Sequence, residues 1–189
     1  MMRLKVLTES IFTISNVLTA DECREQIAFA ERRGFEVATI EGREGPRLDR
    51  EMRNNDRVIV DDIERADGLW RRVAEFVPRS RYGRQVLGLN ERLRYYRYNP
   101  GQRFFWHFDG AFERDNGEAS VFTFMIYLND GYQGGTTRFE ELSVKGKLGM
   151  ALMFEHEQLH MGAKVTAGIK YVLRSDVMYG PLKTRRATT

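Results

Sequence analysis

From Arg92 onward the sequence is a succession of short segments rich in aromatic and β-branched residues: RLRYYRY (92–98), VFTFMIYL (121–128), TTRF (136–139), MALMF (150–154) and KYVLRSDVMY (170–179). Turn signals separate them: NPG at 99–101, NDG at 129–131, GG at 134–135, KGKLG at 145–149 and Gly168. Such runs read as an antiparallel barrel or sandwich. The first half is of another kind. Thr19 and Glu22 form a T-x-x-E capping box and Gly34 a stop, which predicts a helix between them that buries Cys23, Ile27 and Ala30. Phe35 to Ile40 alternates as a strand would, residues 41–56 with Gly42, Gly45 and Pro46 read as a loop, and Arg57 to Val60 as a short strand. Ile63, Ala66, Leu69, Trp70, Val73 and Phe76 keep helical spacing over a second helix from about Asp62 to Phe76. The expectation is an α+β, mainly β fold in a single domain over 1–189. A supporting region of helix and strand spans 1–90, and a β core spans 91–182.

Charge and cysteine content narrow the function classes. The formal charge of +3 is small for 189 residues, although the sequence pI is about 9.1. Arginines gather at Arg71, Arg72, Arg79, Arg81 and Arg84, and the tail carries Lys183, Arg185 and Arg186. Runs of this kind are usually solvated faces, so a nucleic-acid partner is not favoured. The stretch Arg53-Asn54-Asn55-Asp56-Arg57 leads into a strand and reads as a solvated loop in preference to a segment that borders the mouth of a site and touches substrate. Cys23 is the one cysteine, which excludes an intrachain disulfide. The N-terminus lacks the apolar run of a signal peptide, and no segment approaches the roughly 20 apolar residues of a membrane span. A cytoplasmic, reducing setting is expected. Oligomeric state leaves no mark in the sequence.

His107 and Asp109 stand two apart in RFFWHFDG. On a strand, positions i and i+2 face the same way, so an imidazole and a carboxylate converge on one point. The other two histidines are His156 and His160. His160 follows the apolar run MALMF and precedes MGAKV, a turn into another strand, which makes it the better third ligand. Two histidines and a carboxylate on one side of a metal leave open positions opposite, the arrangement of non-haem Fe(II) oxygenases.

The surroundings then resemble a family. YRYNPGQRFFWHFDG, FMIYLND, GGTTRF and FEHEQLHMG-x-x-V-x-x-G-x-KYVLR look like the 2-oxoglutarate/Fe(II) dioxygenases of the prolyl 4-hydroxylase type, over about residues 92–180. The resemblance implies a double-stranded β-helix, a jelly-roll or cupin-like barrel with the N-terminal helices packed on it. It implies Fe(II) held by His107, Asp109 and His160, with 2-oxoglutarate and O₂ as co-substrates. Hydroxylation of a peptidyl (prolyl-like) side chain, or of a small amino-acid-like substrate, would release succinate and CO₂. Lys170 stands ten residues after His160, where family members supply a Lys or Arg to the distal carboxylate of 2-oxoglutarate. Arg174 is a second contact or a rival, and Tyr98 and Tyr127 match tyrosines that line the co-substrate pocket. Met153 and Phe154 read as core.

A competing motif must be weighed. His156-Glu157-Gln158-Leu159-His160 is a literal H-E-x-x-H, which on a helix would make a zinc metallopeptidase with Glu157 as general base. The strand-like MALMF before it, Gly162 after it and the lack of a third downstream histidine oppose that reading. A barrel that binds metal without catalysis, or oxidises without 2-oxoglutarate, is the remaining alternative.

Overall fold

The computed structural model describes residues 1–42 and 45–182; the basic tail residues Lys183, Arg185 and Arg186 lie outside the described residues. The fold is mainly β, with antiparallel sheets. The larger sheet runs, in spatial order, Arg3–Val6, Ile11–Ser15, Ala151–Glu155, Ala119–Tyr127, Lys170–Pro181, Arg92–Tyr98, Asp56–Asp61 and Glu36–Val37. The strand Arg84–Leu89 pairs with the far half of Lys170–Pro181. A smaller sheet has the order Phe104–His107, His160–Gly162, Thr137–Phe139, Ser143–Val144.

Alternation of side chains across the strands divides the core in two. One face of the large sheet presents Phe122, Phe124, Ile126, Met153, Leu173 and Tyr95 to the helices, which contribute Cys23, Ala30, Ala66, Leu69 and Val73. The other face presents Tyr96, Tyr98, Tyr127, Leu152, Phe154 and Val172, packed with Phe139 and Val144 of the small sheet. Burial on both faces is why the central segments are nearly continuous apolar runs rather than polar–apolar alternations. Lys170–Pro181 is the axis of this arrangement, pairing with three neighbours along its twelve residues.

The first helix, α1 (Ala20–Arg33), starts at the expected capping box: Glu22 N–H donates to Thr19 Oγ1 at 3.2 Å and Thr19 N–H to Glu22 Oε2 at 2.8 Å. Cys23 and Ala30 are buried as expected, whereas Ile27 is only partly so. The second, α2 (Ile63–Val73), continues as a 3₁₀ turn over Ala74–Phe76, and Asp62 caps it through the Arg65 N–H. Ile63, part of the apolar pattern, sits at the first helical position and is 68% exposed. The strand expected over 35–40 is broken. Its Glu36–Val37 half joins the sheet, the Ala38 N–H bonds Asn55 O at 2.9 Å, and Ile40–Gly42 pairs with Gly45–Arg47 as a separate hairpin inside the expected loop. Among the described residues no helix is long and apolar enough to cross a membrane. Of the clustered arginines, Arg72 is paired with Glu22 and Arg81 with Glu155.

Candidate active site

The small sheet brings the two histidines together. His107 ends the strand Phe104–His107, His160 begins His160–Gly162, and the two residues are register partners. Their ring centroids lie 4.2 Å apart, and Phe104 stacks on His107 at 3.5 Å. Asp109 was expected on the same strand as His107; it lies just past the strand end, in a segment of no regular structure that brings its carboxylate beside His107 all the same. Candidate ligand atoms of His107, Asp109 and His160 fall within 4.8 Å of one another. Each ring is oriented by its own chain: His107 Nδ1 contacts Phe105 O at 2.7 Å and His160 Nδ1 contacts Gln158 O at 2.9 Å. A carbonyl can only accept, so Nδ1 carries the proton and Nε2 keeps its lone pair. Both Nε2 atoms face Asp109, each 3.6 Å from one carboxylate oxygen.

Protonation states suit a cation. Burial depresses the His160 imidazole to about 4, the Asp109 charge only partly offsetting it, so the ring is neutral near pH 7. Burial alone would raise the Asp109 carboxyl, but Arg174 and the two histidines hold it well below the usual carboxylate range. The neutral His160 imidazole, the His107 Nε2 and one carboxylate, gathered on one side of a point, could hold a divalent metal with its other positions open.

One cavity contains these three residues together with Tyr98, Thr137, Lys170 and Arg174. Lys170 is 2% exposed, and burial pulls its ammonium down to about 7. Its Nζ donates to Gly135 O at 2.7 Å and faces the rings of Tyr98, Tyr127 and Tyr132 at 5.2–5.9 Å. Gly135 presents that carbonyl from a left-handed conformation (φ 61°), where a side chain would press on Val165 and Tyr132. No carboxylate pairs with Lys170 among the described residues. A buried cation of this kind is stabilised by an anion that enters the cavity. Tyr98 lines the cavity, and burial raises its phenol to about 12. Tyr127 is fully buried behind the wall, its hydroxyl 2.7 Å from Thr137 Oγ1. Arg174 shares the cavity but is engaged elsewhere: Nη1 meets Asp109 Oδ1 at 2.9 Å and Nη2 meets Asp176 Oδ1 at 3.2 Å. Burial opposes its charge, yet Asp109 and Asp176 outweigh that and keep the guanidinium cationic.

The H-E-x-x-H motif is not helical. Residues 156–159 form a turn between two strands, Glu157 is exposed, and only His160 joins the metal cluster. His156 Nε2 instead contacts Ser120 Oγ at 2.7 Å and its Nδ1 contacts Thr123 Oγ1 at 3.2 Å. The zinc metallopeptidase reading therefore fails on geometry, because its two histidines would have to share one helix face. Phe154 proves to be both core and site wall, packing on the His160 ring at 4.4 Å. The stretch 53–57, expected to be solvated, buries Arg53 and Asn55; the Arg53 guanidinium lies over Tyr96 and Phe104 at 4.5 and 4.3 Å. On the far side of Asp109 an open cavity of about 420 Å³ is bordered by Tyr82, Phe108, Ser120 and His156.

Comparison with known proteins agrees with this geometry. The sequence profile described as the 2OG-Fe(II) oxygenase superfamily matches residues 93–175. A putative prolyl 4-hydroxylase of Acanthamoeba polyphaga mimivirus is 25% identical over 181 residues, spanning 85% of this chain and 71% of its own. The viral collagen prolyl hydroxylase of Paramecium Bursaria Chlorella virus-1, solved as its 2OG complex, superposes with a TM-score of 0.67 at 21% identity, covering 91% of this chain and 97% of that one. A Pseudomonas putida prolyl-4-hydroxylase gives 0.63 at 19% identity, covering 90% and 93%. At these identities the structural likeness is one of fold. Profile, relative and fold point the same way: over residues 93–175 the chain is similar to the 2OG-Fe(II) oxygenase superfamily, and these relatives are prolyl 4-hydroxylases or prolyl hydroxylases, a likeness that supports Fe(II) as cofactor with 2-oxoglutarate and O₂ as co-substrates.

Proposed function

We propose that the protein hydroxylates a C–H bond of a peptidyl, prolyl-like side chain, with His107, Asp109 and His160 holding the iron and Lys170 anchoring the distal carboxylate of 2-oxoglutarate. The observation that carries the co-substrate assignment is the buried Lys170 ammonium, unpaired with any carboxylate, inside the cavity that holds the three ligand side chains. The iron, when bound, supplies the oxidising chemistry that turns 2-oxoglutarate and O₂ into succinate, CO₂ and a hydroxylated product. The chain's own residues bind, orient and exclude water. The two histidines offer Nε2 with the tautomer already set by backbone carbonyls. Lys170 holds one end of the co-substrate, and the aromatic wall around it keeps the cavity dry. Tyr98 would border the co-substrate directly, whereas Tyr127 would act through Thr137. Arg174 orients Asp109, and its Nε, which has no partner among the described residues, suits it as a second contact. In this reading the two sheets are the walls of a double-stranded β-helix, with the N-terminal helices supporting the outer face of the larger one.

A peptidyl substrate is favoured over a free amino acid by two observations. The relatives carry prolyl hydroxylase names, and one of Trichoplax adhaerens was solved with a peptide fragment of hypoxia inducible factor. The cavity beside Asp109 is open and flanked by exposed aromatic rings, Tyr82 at 64% and Phe108 at 61%, which suit an extended chain with an apolar ring. The test is succinate formation from 2-oxoglutarate with Fe(II), screened across proline-containing peptides, free amino acids and oligonucleotides. Turnover stimulated by peptides is expected. Stimulation by free amino acids alone would overturn the peptidyl assignment.

A further inference from the structure

The third histidine has no place in the metal cluster, yet it is 7% exposed and both its ring nitrogens are occupied. Thr123 lies between Phe122 and Phe124 in the middle of an apolar strand, 1% exposed, where a valine would fill the same volume. A hydroxyl buried there needs a partner, and it donates to Asp109 Oδ2 at 2.6 Å. That bond settles the direction of the others. An ionised carboxylate only accepts, so Thr123 spends its proton on Asp109 and shows only lone pairs to His156. His156 Nδ1 must then carry the hydrogen. Burial disfavours the imidazolium, so Nε2 is an acceptor and takes the Ser120 hydroxyl proton at 2.7 Å. Ser120 Oγ in turn accepts the Phe112 N–H at 2.8 Å. The sequence of donors is Phe112 N–H, Ser120, His156, Thr123, and it ends on the carboxylate.

We propose that Thr123 and His156 are positioning residues that fix one oxygen of Asp109 and thereby the angle at which its carboxylate meets the metal. This rests on the reading of His107, Asp109 and His160 as the metal site. A carboxylate oxygen has two lone pairs, so the Thr123 bond restrains Asp109 without consuming its capacity to ligate. Partners of this kind around a ligand side chain are worth about 10–100-fold in metal affinity. Ser120 and His156 also wall the open cavity beside Asp109, so the far end of the relay lies where a substrate would rest.

The experiment titrates Mn(II) into the full chain, following free Mn(II) by electron paramagnetic resonance, and records the visible spectrum of the Co(II)-loaded protein. Thr123→Val and His156→Leu are each expected to weaken Mn(II) binding about 10–100-fold and to shift the Co(II) bands. The double variant should be no weaker than the worse single one, because both changes break one linkage. His156→Asn, whose side-chain amide can donate from the Nδ1 position, should recover affinity to within about threefold of the parent. A role in packing alone would not produce that recovery. If His156→Leu does not fold, Thr123→Val, which keeps the volume, carries the test. A folded Thr123→Val protein with parental affinity and spectrum overturns the relay. A parent that binds no Mn(II) overturns the metal-site reading itself.

Discussion

Lys170 is the residue whose environment makes the sharpest demand. Its ordinary value of 10.5 is pulled down to about 7 by burial, so between those limits the unfolded chain binds more protons than the folded one. The group's contribution to stability therefore rises with pH from about 7 to about 10.5, and below 7 it is flat, with the burial penalty fully present. A carboxylate entering beside Nζ reverses the shift. Binding of 2-oxoglutarate at pH 8 should accordingly take up protons, seen by calorimetry in two buffers of different ionisation enthalpy. Uptake indistinguishable from zero would count against Lys170 as the anchor. Lys170→Ala should lose 2-oxoglutarate affinity by about 10²–10³-fold, since a buried charge-assisted pair is worth several kcal/mol. At this scale the sequence was legible wherever chemistry-bearing residues are rare: three histidines and an H-x-D left little choice of cluster. It was opaque at Thr123, because a threonine inside VFTFMIY reads as one more β-branched filler. At His156 the peptidase motif could be set aside from the strand-like run before it and Gly162 after it, and the turn over residues 156–159 agrees.

Among the elements, α1 and α2 are braced together by a fork from Arg72 to Glu22, Nη2–Oε1 2.5 Å and Nη1–Oε2 2.9 Å, on the same carboxylate that closes the capping box. Those bonds lower the Glu22 carboxyl from 4.5 to about 2. Its stabilising contribution is thus fully present above about pH 4.5 and is lost as pH falls towards 2; the pair is part-exposed, so salt should weaken it. Thr19→Ala should cost about 1 kcal/mol in urea unfolding through the lost cap. A larger effect is expected at Gly149, which has φ 69° and whose carbonyl receives the Val17 and Leu18 N–H groups. A Cβ there would meet Leu18 O at 2.0 Å. Gly149→Ala should destabilise by at least about 2 kcal/mol, combining left-handed strain with that collision. Both helices were legible because caps and apolar spacing are local signals. The strand Arg3–Val6 was not: it is exposed along its whole length at the sheet edge and carries no periodic pattern.

For the molecule as a whole, the proposed site has metal and co-substrate sharing one cavity, so the two should stabilise it jointly. Mn(II) at about 100 times its dissociation constant adds about 2.7 kcal/mol, and 2-oxoglutarate should raise the melting temperature further only when metal is present. In Lys170→Ala the metal shift should survive while the co-substrate shift disappears. Sheet order was the least legible level, since the neighbours of Lys170–Pro181 come from residues 84–89, 92–98 and 119–127. Local turn chemistry does not specify those pairings; burial of the two faces does. One consequence of that strand concerns parity. Lys170 and Arg174 both occupy even positions, opposite Tyr98 and Arg94 on the neighbouring strand, while Tyr171 and Leu173 belong to the helix side. The cavity's charges are thus encoded as a phase of the chain. A single residue inserted between Gly168 and Lys170 can be absorbed by the turn. The same insertion between Lys170 and Arg174 would turn one of the two cations out of the cavity, so length variation should be tolerated on one side of Lys170 and excluded on the other.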